Sequence, residues 1–173
     1  MNLCFAAHQN LRSITMIRIV IPKNSVRAIA FSPDGEYMAT AGADKTARLW
    51  RVTDWQEIHS LKHERSICSV AFSPDSKYLA TASFDRTVRV WEVSSRLELS
   101  RIPHKGDVRA VGFTLDGKYL ATASADGTAQ LWLWRSQDLI NEACSRLTRT
   151  LTQEEWQQYL GDEPYRKTCP NLS

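Results

Sequence analysis

The chain has 173 residues, of which 43% are apolar and 24% charged, with a formal net charge of +3. That length suits one domain or two small ones, and the composition excludes a collagen-like, low-complexity or wholly disordered chain. No apolar run approaches the roughly 18 residues a membrane span needs, so no membrane partner is expected, and so small a charge does not by itself argue for nucleic acid.

From the N-terminus, Leu3 to Ala7 is apolar but no positive charge precedes it, which makes a poor secretory signal. Residues 1–15 are left unassigned. Met16 to Ile21 is rich in β-branched residues and predicts a strand. Val26 to Phe31 predicts a second, and Ser32-Pro33-Asp34-Gly35 after it has the residue order of a type I turn. Tyr37 to Ala41 and Ala47 to Trp50 predict two more strands around the tight Asp44-Lys45-Thr46 connection, and Gln56 to Leu61 a polar one. The pattern then recurs. Trp50, Trp91 and Trp132 are 41 residues apart, and the same shift superposes Phe31, Phe72 and Phe113, then Asp34, Asp75 and Asp116, then Tyr37, Tyr78 and Tyr119, then Asp44, Asp85 and Asp126. Nine of the 26 columns from Ser25 to Trp50 are identical in all three copies. The opening strand of each unit is apolar on both faces (Ile67, Val70, Ala71 and Phe72 in the second), so it needs cover on both sides, as stacked antiparallel sheets supply.

A period of 41 with four strands and a closing Trp resembles the WD-repeat β-propeller family over residues 16–134. The expected fold is therefore all-β: a partial β-propeller of three four-stranded antiparallel blades, followed by a small helical extension over residues 135–173. Two departures stand out. No Asp follows the Trp in Trp50-Arg51, Trp91-Glu92 or Trp132-Leu133, and the family's Gly-His survives only as His63 and His104, with Pro22 in the first copy. The resemblance implies a hydrogen-bond network in each blade: His63, Asp85, Thr81 or Ser83, and Trp91 in the second; His104, Asp126, Thr122 or Ser124, and Trp132 in the third; Asp44, Thr40 and Trp50 in the first. A His, Asp and Ser together invite comparison with a hydrolase triad. Repetition every 41 residues argues for structure instead, and no phosphate loop, metal motif or nucleophile elbow is present. No enzyme activity, cofactor or metal is expected.

The family's usual docking surface is the rim where d–a and b–c loops meet. Here that implies Ser25, Arg27 and Ala43; Ser66, Cys68 and Phe84; Asp107, Arg109 and Ala125. Phe84 breaks the Ala43/Ala125 pattern and is the expected anchor for a protein partner. The leading functional expectation is a non-catalytic protein-interaction scaffold or sensor in a signalling protein. The alternatives are a nucleic-acid-binding propeller, for which Arg48 and Arg89 share a column that ends in Gln130, and the non-catalytic part of a multidomain enzyme such as an NTPase, kinase or protease.

Propellers close with about four to eight blades, so three need completing. Either two copies form a six-bladed ring, each Met16–Ile21 strand finishing the other's last blade, or further blades come from a longer chain, which residues 1–15 favour. After Trp132 the period turns helical: Leu139, Ile140, Ala143 and Leu147 share a face, with Ser136 as N-cap. Thr152 and Glu155 form a capping box for a second helix, which carries Trp156, Tyr159 and Leu160. That tail resembles extensions of bacterial multidomain WD-repeat proteins. Cys4, Cys68, Cys144 and Cys169 lie far apart and read as reduced thiols of a cytoplasmic protein.

Overall fold

The computed structural model describes residues 25–146 together with Glu154 and Cys169. The expected strand Met16–Ile21, the helix from Thr152, His8 and Cys4 lie outside the described residues, Glu154 apart. Strands β1 (Val26–Phe31), β2 (Tyr37–Gly42), β3 (Thr46–Arg51) and β4 (Glu57–Lys62) pair in that order into an antiparallel sheet. A second sheet repeats the order with β5 (Ile67–Phe72), β6 (Tyr78–Ser83), β7 (Thr87–Glu92) and β8 (Glu98–Pro103). The third holds β9 (Val108–Phe113), β10 (Tyr119–Ser124) and β11 (Ala129–Leu133), three strands among the described residues. Helix α1 (Ser136–Arg146) follows. These are three propeller blades and a short helix.

The turns explain the spacing. Ser32 Oγ donates to Asp34 Oδ1 at 2.5 Å and accepts from the Tyr37 N–H at 2.9 Å, so one hydroxyl fixes both the turn and the start of β2. The fourth turn residue is left-handed in every copy: Gly35 at φ +75°, Ser76 at +60° and Gly117 at +68°. Glycine takes that conformation without a Cβ clash, whereas Ser76 takes it while its hydroxyl accepts the Asp34 N–H of the preceding blade at 3.1 Å.

Each blade has a leading face toward its predecessor and a trailing face toward its successor. The leading face of blade two (Ile67, Val70, Phe72, Leu79, Trp91) packs in one cluster with the trailing face of blade one (Ala39, Ala41, Ala47, Leu49, Leu61). Blade three repeats this: Val108, Val111, Phe113 and Leu120 meet Ala80, Ala82, Val88 and Val90. Small residues on the trailing faces let the bulky leading side chains approach closely, and interlocking at interior density is the main source of stability. Trp134 seals the outer end of the second interface. It is buried, edge-on to Tyr78 and Phe113, and its indole N–H donates to the Gly117 carbonyl at 3.2 Å.

One expectation changes. Cys144 and Cys169 are joined by a disulfide, so they are not reduced thiols; α1 and the tail bring their Cα atoms to 5.5 Å, within bridging range, despite 25 residues of separation. In α1, Leu139 and Ile140 are 50% and 44% exposed, so the apolar face they share points largely to solvent. The helix is tied to blade three by Lys118, whose ammonium lies 4.0 Å from the Glu142 carboxylate.

Candidate functional site

Blade two carries a directed chain of hydrogen bonds. The Trp91 indole N–H donates to Thr81 Oγ1 at 3.0 Å, and Thr81 Oγ1 lies 2.8 Å from His63 Nε2. His63 Nδ1 lies 2.8 Å from Asp85 Oδ2. The geometry accommodates a neutral imidazole, the form that burial favours. The Thr81 hydroxyl, which also lies 3.4 Å from the Arg89 carbonyl, donates to Nε2, and the Nδ1–H of the neutral imidazole donates to the Asp85 carboxylate. Burial, the largest influence, holds His63 below its ordinary 6.5 although Asp85 pulls the other way. For Asp85, burial alone would raise the carboxyl, but the Thr87 hydroxyl, His63 and the Glu64 N–H outweigh it and hold it at about 2.

The order Asp–His–Thr resembles a nucleophilic triad, but its geometry forbids that use. The His63 side chain is 0% exposed and Asp85 5%, and Thr81 is buried with its hydroxyl already bonded at both ends. No substrate carbon can reach the oxygen.

The other copies are graded versions. In blade three, the Trp132 N–H donates to Thr122 Oγ1 at 3.0 Å and His104 Nε2 lies 2.9 Å from the same oxygen. His104 Nδ1 faces the Ile102 carbonyl at 3.3 Å, not Asp126. The expected His104–Asp126 link is replaced by Asp126 accepting from the Thr128 N–H and hydroxyl at 3.0 and 2.6 Å. Blade one keeps only the Trp50 N–H on Thr40 Oγ1, at 2.9 Å. Every b–c Asp binds the Thr two positions on, as Asp44 and Asp85 do with Thr46 and Thr87, so the column is first a turn clamp. The strand-b Ser residues stand apart from the His. Ser83 Oγ donates to the Ser66 carbonyl at 3.1 Å and accepts the Asp85 N–H, and Ser124 Oγ accepts the Asp126 N–H at 3.4 Å.

The column considered for nucleic acid is internal bracing. Arg48 reaches Asp44 at 2.7 Å and Glu57 at 3.5 Å. Arg89, 6% exposed, reaches Asp85 at 3.3 Å, Glu98 at 3.5 Å and the Lys62 carbonyl at 3.0 Å. These guanidiniums lock the b–c turn to strand d and offer no stripe to a phosphate backbone.

The d–a and b–c loops meet at one edge in all blades. The N–H groups of Ala43, Phe84 and Ala125 donate to the carbonyls of Ser25, Ser66 and Asp107 at 3.1, 2.9 and 2.8 Å. Phe84 is half-buried, and the Arg27 guanidinium of blade one lies 5.4 Å over its ring. Asp107 pairs with Arg65 at 3.7 Å, and Arg65 also donates to the Phe84 carbonyl at 3.2 Å. Arg109 is exposed. Cys68 turns into the blade interface, its thiol donating to the Val108 carbonyl at 2.8 Å, and burial pushes its pKa up. It belongs to packing and not to the rim. Arg65 is the rim residue that sequence reasoning missed; its column holds Asn24 and Gly106, so the repeat gave no sign of it.

Three arc-forming blades with a repeated buried polar chain define a propeller of structural repeats, and comparison with known proteins gives the same class. The WD domain, G-beta repeat family (WD40) matches residues 16–51, 55–92 and 97–132. The chain belongs to the WD40 repeat family, whose members are generally non-catalytic scaffolds. Among curated relatives, protein HIR1 of Mycosarcoma maydis is 50% identical over 30 residues, 17% of this chain and 3% of that protein. U3 small nucleolar RNA-associated protein 7 of Saccharomyces cerevisiae (strain ATCC 204508 / S288c) is 30% identical over 47 residues, 27% of this chain and 8% of that protein. Two solved structures, of U3-55K and of the RRP9 WD40 repeats, superpose with TM-score 0.62 at 23% identity, covering 64% of this chain and 36% of each of theirs.

Proposed function

We propose that the chain is a non-catalytic scaffold whose rim docks a protein segment, with Phe84 and Arg27 as the anchor. The observation that carries this is the stacked pair itself: an aromatic ring from blade two capped by a guanidinium from blade one, on the edge where the repeat otherwise places alanine. A half-buried aromatic beside an arginine is the composition of an interface hot spot. Exposed Lys45, Arg86 and Arg109 leave the surroundings cationic, which suits a partner carrying carboxylates beside an apolar side chain. Ser25, Ser66 and Asp107 shape the loops, and the partner reads the side chains between them.

One relative is named as associated with the U3 small nucleolar RNA, and a scaffold reading fits such an association through protein components. Direct RNA binding needs a continuous basic stripe, and Arg48 and Arg89 are committed to internal carboxylates. The proposal extends to context: the blades are the regulatory part of a bacterial signalling protein. The Cys144–Cys169 disulfide fits an oxidising compartment, because a reducing one keeps such residues as thiols.

The decisive experiment selects acidic–apolar peptides from a display library on the chain and titrates them calorimetrically against Phe84→Ala. The expected result is at least a 10-fold loss of affinity with an unchanged circular dichroism spectrum. Equal affinity for the variant refutes the anchor. Binding of single-stranded RNA whose affinity falls steeply with salt would transfer the function to nucleic acid.

A further inference from the structure

The two ends of the arc are halves of an interface that the chain already makes twice within itself. In the leading-face columns, Ile67 and Val108 are 0% exposed, whereas Val26 of blade one is 49% exposed. Val70 is 8% exposed and Ile29 59%; Phe72 is 9% and Phe31 55%. The trailing-face columns show the converse at blade three. Leu49 and Val90 are 3% and 0% exposed, and Leu131 is 67%. Ala121 and Ala129, exposed, stand where Ala39, Ala80, Ala47 and Val88 are all at 0%. The residue types on both open faces are those of the buried ones, bulky on the leading side and small with one Leu on the trailing side. The turns agree. At the second interface Pro74 lies 3.6 Å from where a Cβ on Gly117 would stand. In the same columns, Leu115 is 97% exposed and Gly35 has nothing within 4 Å.

We propose that the leading face of blade one docks on the trailing face of blade three of a second copy, so that two chains close a six-bladed ring. The inference rests on the scaffold reading, since it makes the rim a composite of both chains. It commits to a second copy because each open face repeats, column for column, the partner that the other needs. A contact of this kind is head-to-tail, so it closes only if the rotation per blade brings the second contact into register; otherwise it grows into a filament. Val26, Ile29 and Phe31 then meet Ala121, Ala129 and Leu131, and Leu115 covers Gly35, once at each of two junctions.

The test is the absolute mass of the full chain by light scattering, with two charge variants and their mixture. The wild type is expected at twice 19.7 kDa. Leu131→Glu and Ile29→Lys are each expected at 19.7 kDa, because each places an unpaired charge in both junctions. Mixed in equal amounts they regain the dimer mass, since the hybrid has one wild-type junction and one Lys–Glu junction. Both sites are more than half exposed in the single chain, so circular dichroism should stay unchanged in the separate variants. A wild-type monomer, an open ladder of masses, or a dimer indifferent to both substitutions overturns the proposal. The rim reading is judged separately: Phe84→Ala should alter peptide affinity and leave the mass as it is.

Discussion

Thr81→Val removes one oxygen and keeps the side-chain volume, so its cost reports the hydrogen-bond chain alone. Two buried groups lose their partner: the Trp91 N–H at 3.0 Å and His63 Nε2 at 2.8 Å. A buried donor or acceptor left unsatisfied costs about 1–3 kcal/mol; at about 1.5 kcal/mol each, the pair together cost about 3 kcal/mol. For a domain of this length that lowers the melting midpoint by about 6–12 °C. The other blades supply controls with the same chemistry. Thr40→Val orphans only the Trp50 N–H, at about 1–2 kcal/mol. Thr122→Val orphans the Trp132 N–H and His104 Nε2, but both rings are half-buried and water replaces part of the loss, so about 1–2 kcal/mol is expected there too. Urea unfolding followed by far-UV circular dichroism, at equal chain concentration, ranks the three. If Thr40→Val costs as much as Thr81→Val, the imidazole contributes nothing and the chain of bonds from Trp91 to Asp85 is not a unit.

Acid should destabilise blade two in two stages. His63 is held below its ordinary 6.5, so stability begins to fall as pH drops below that value. Asp85 at about 2 rather than 3.8 contributes roughly 2 kcal/mol above pH 3.8, which is lost as pH falls through about 2. Urea midpoints at pH 7, 5 and 3 should descend in that order, with Asp85→Asn less stable at pH 7 and shallower below pH 4; parallel curves would remove Asp85 from the account. Alkylation of the native chain without reductant should leave Cys144 and Cys169 unmodified by peptide mass mapping, and prior reduction should expose both. Modification of either before reduction contradicts the pairing.

The repeat made most of the fold legible because the same physical demand recurs at the same spacing. Phe72 and Phe113 fill leading faces, Ala39 and Ala80 make room on trailing ones, and each turn needs its Asp. What stayed illegible were contacts between columns. Asp126 looks identical to Asp85 in sequence, and the Thr two positions later binds the carboxylate in either case, yet among the described residues Asp85 reaches an imidazole and Asp126 does not. Arg48 and Arg89 read as surface cations since their acids, Glu57 and Glu98, lie in the polar strand d where charge carries no pattern. The disulfide was hidden for a similar reason: 25 residues of separation say nothing about where α1 turns.

Departures from the repeat are therefore more informative about function than the repeat itself. A column kept in all copies answers a need that all blades share, and that need is structural, as the Thr–Trp bond in each blade shows. A column broken in one copy answers something outside the blade. Phe84 among alanines sits on the rim beneath Arg27. Leu115 among prolines stands 97% exposed at the open end. Neither residue improves the packing of its own blade: Phe84 is only half-buried and Leu115 is almost wholly in water. The part of such a side chain left in water gains from burial only when a second molecule covers it. The two departures thus point outward from different edges, one toward a docked segment and one toward the next blade, and substitution at one should leave the other's readout unmoved.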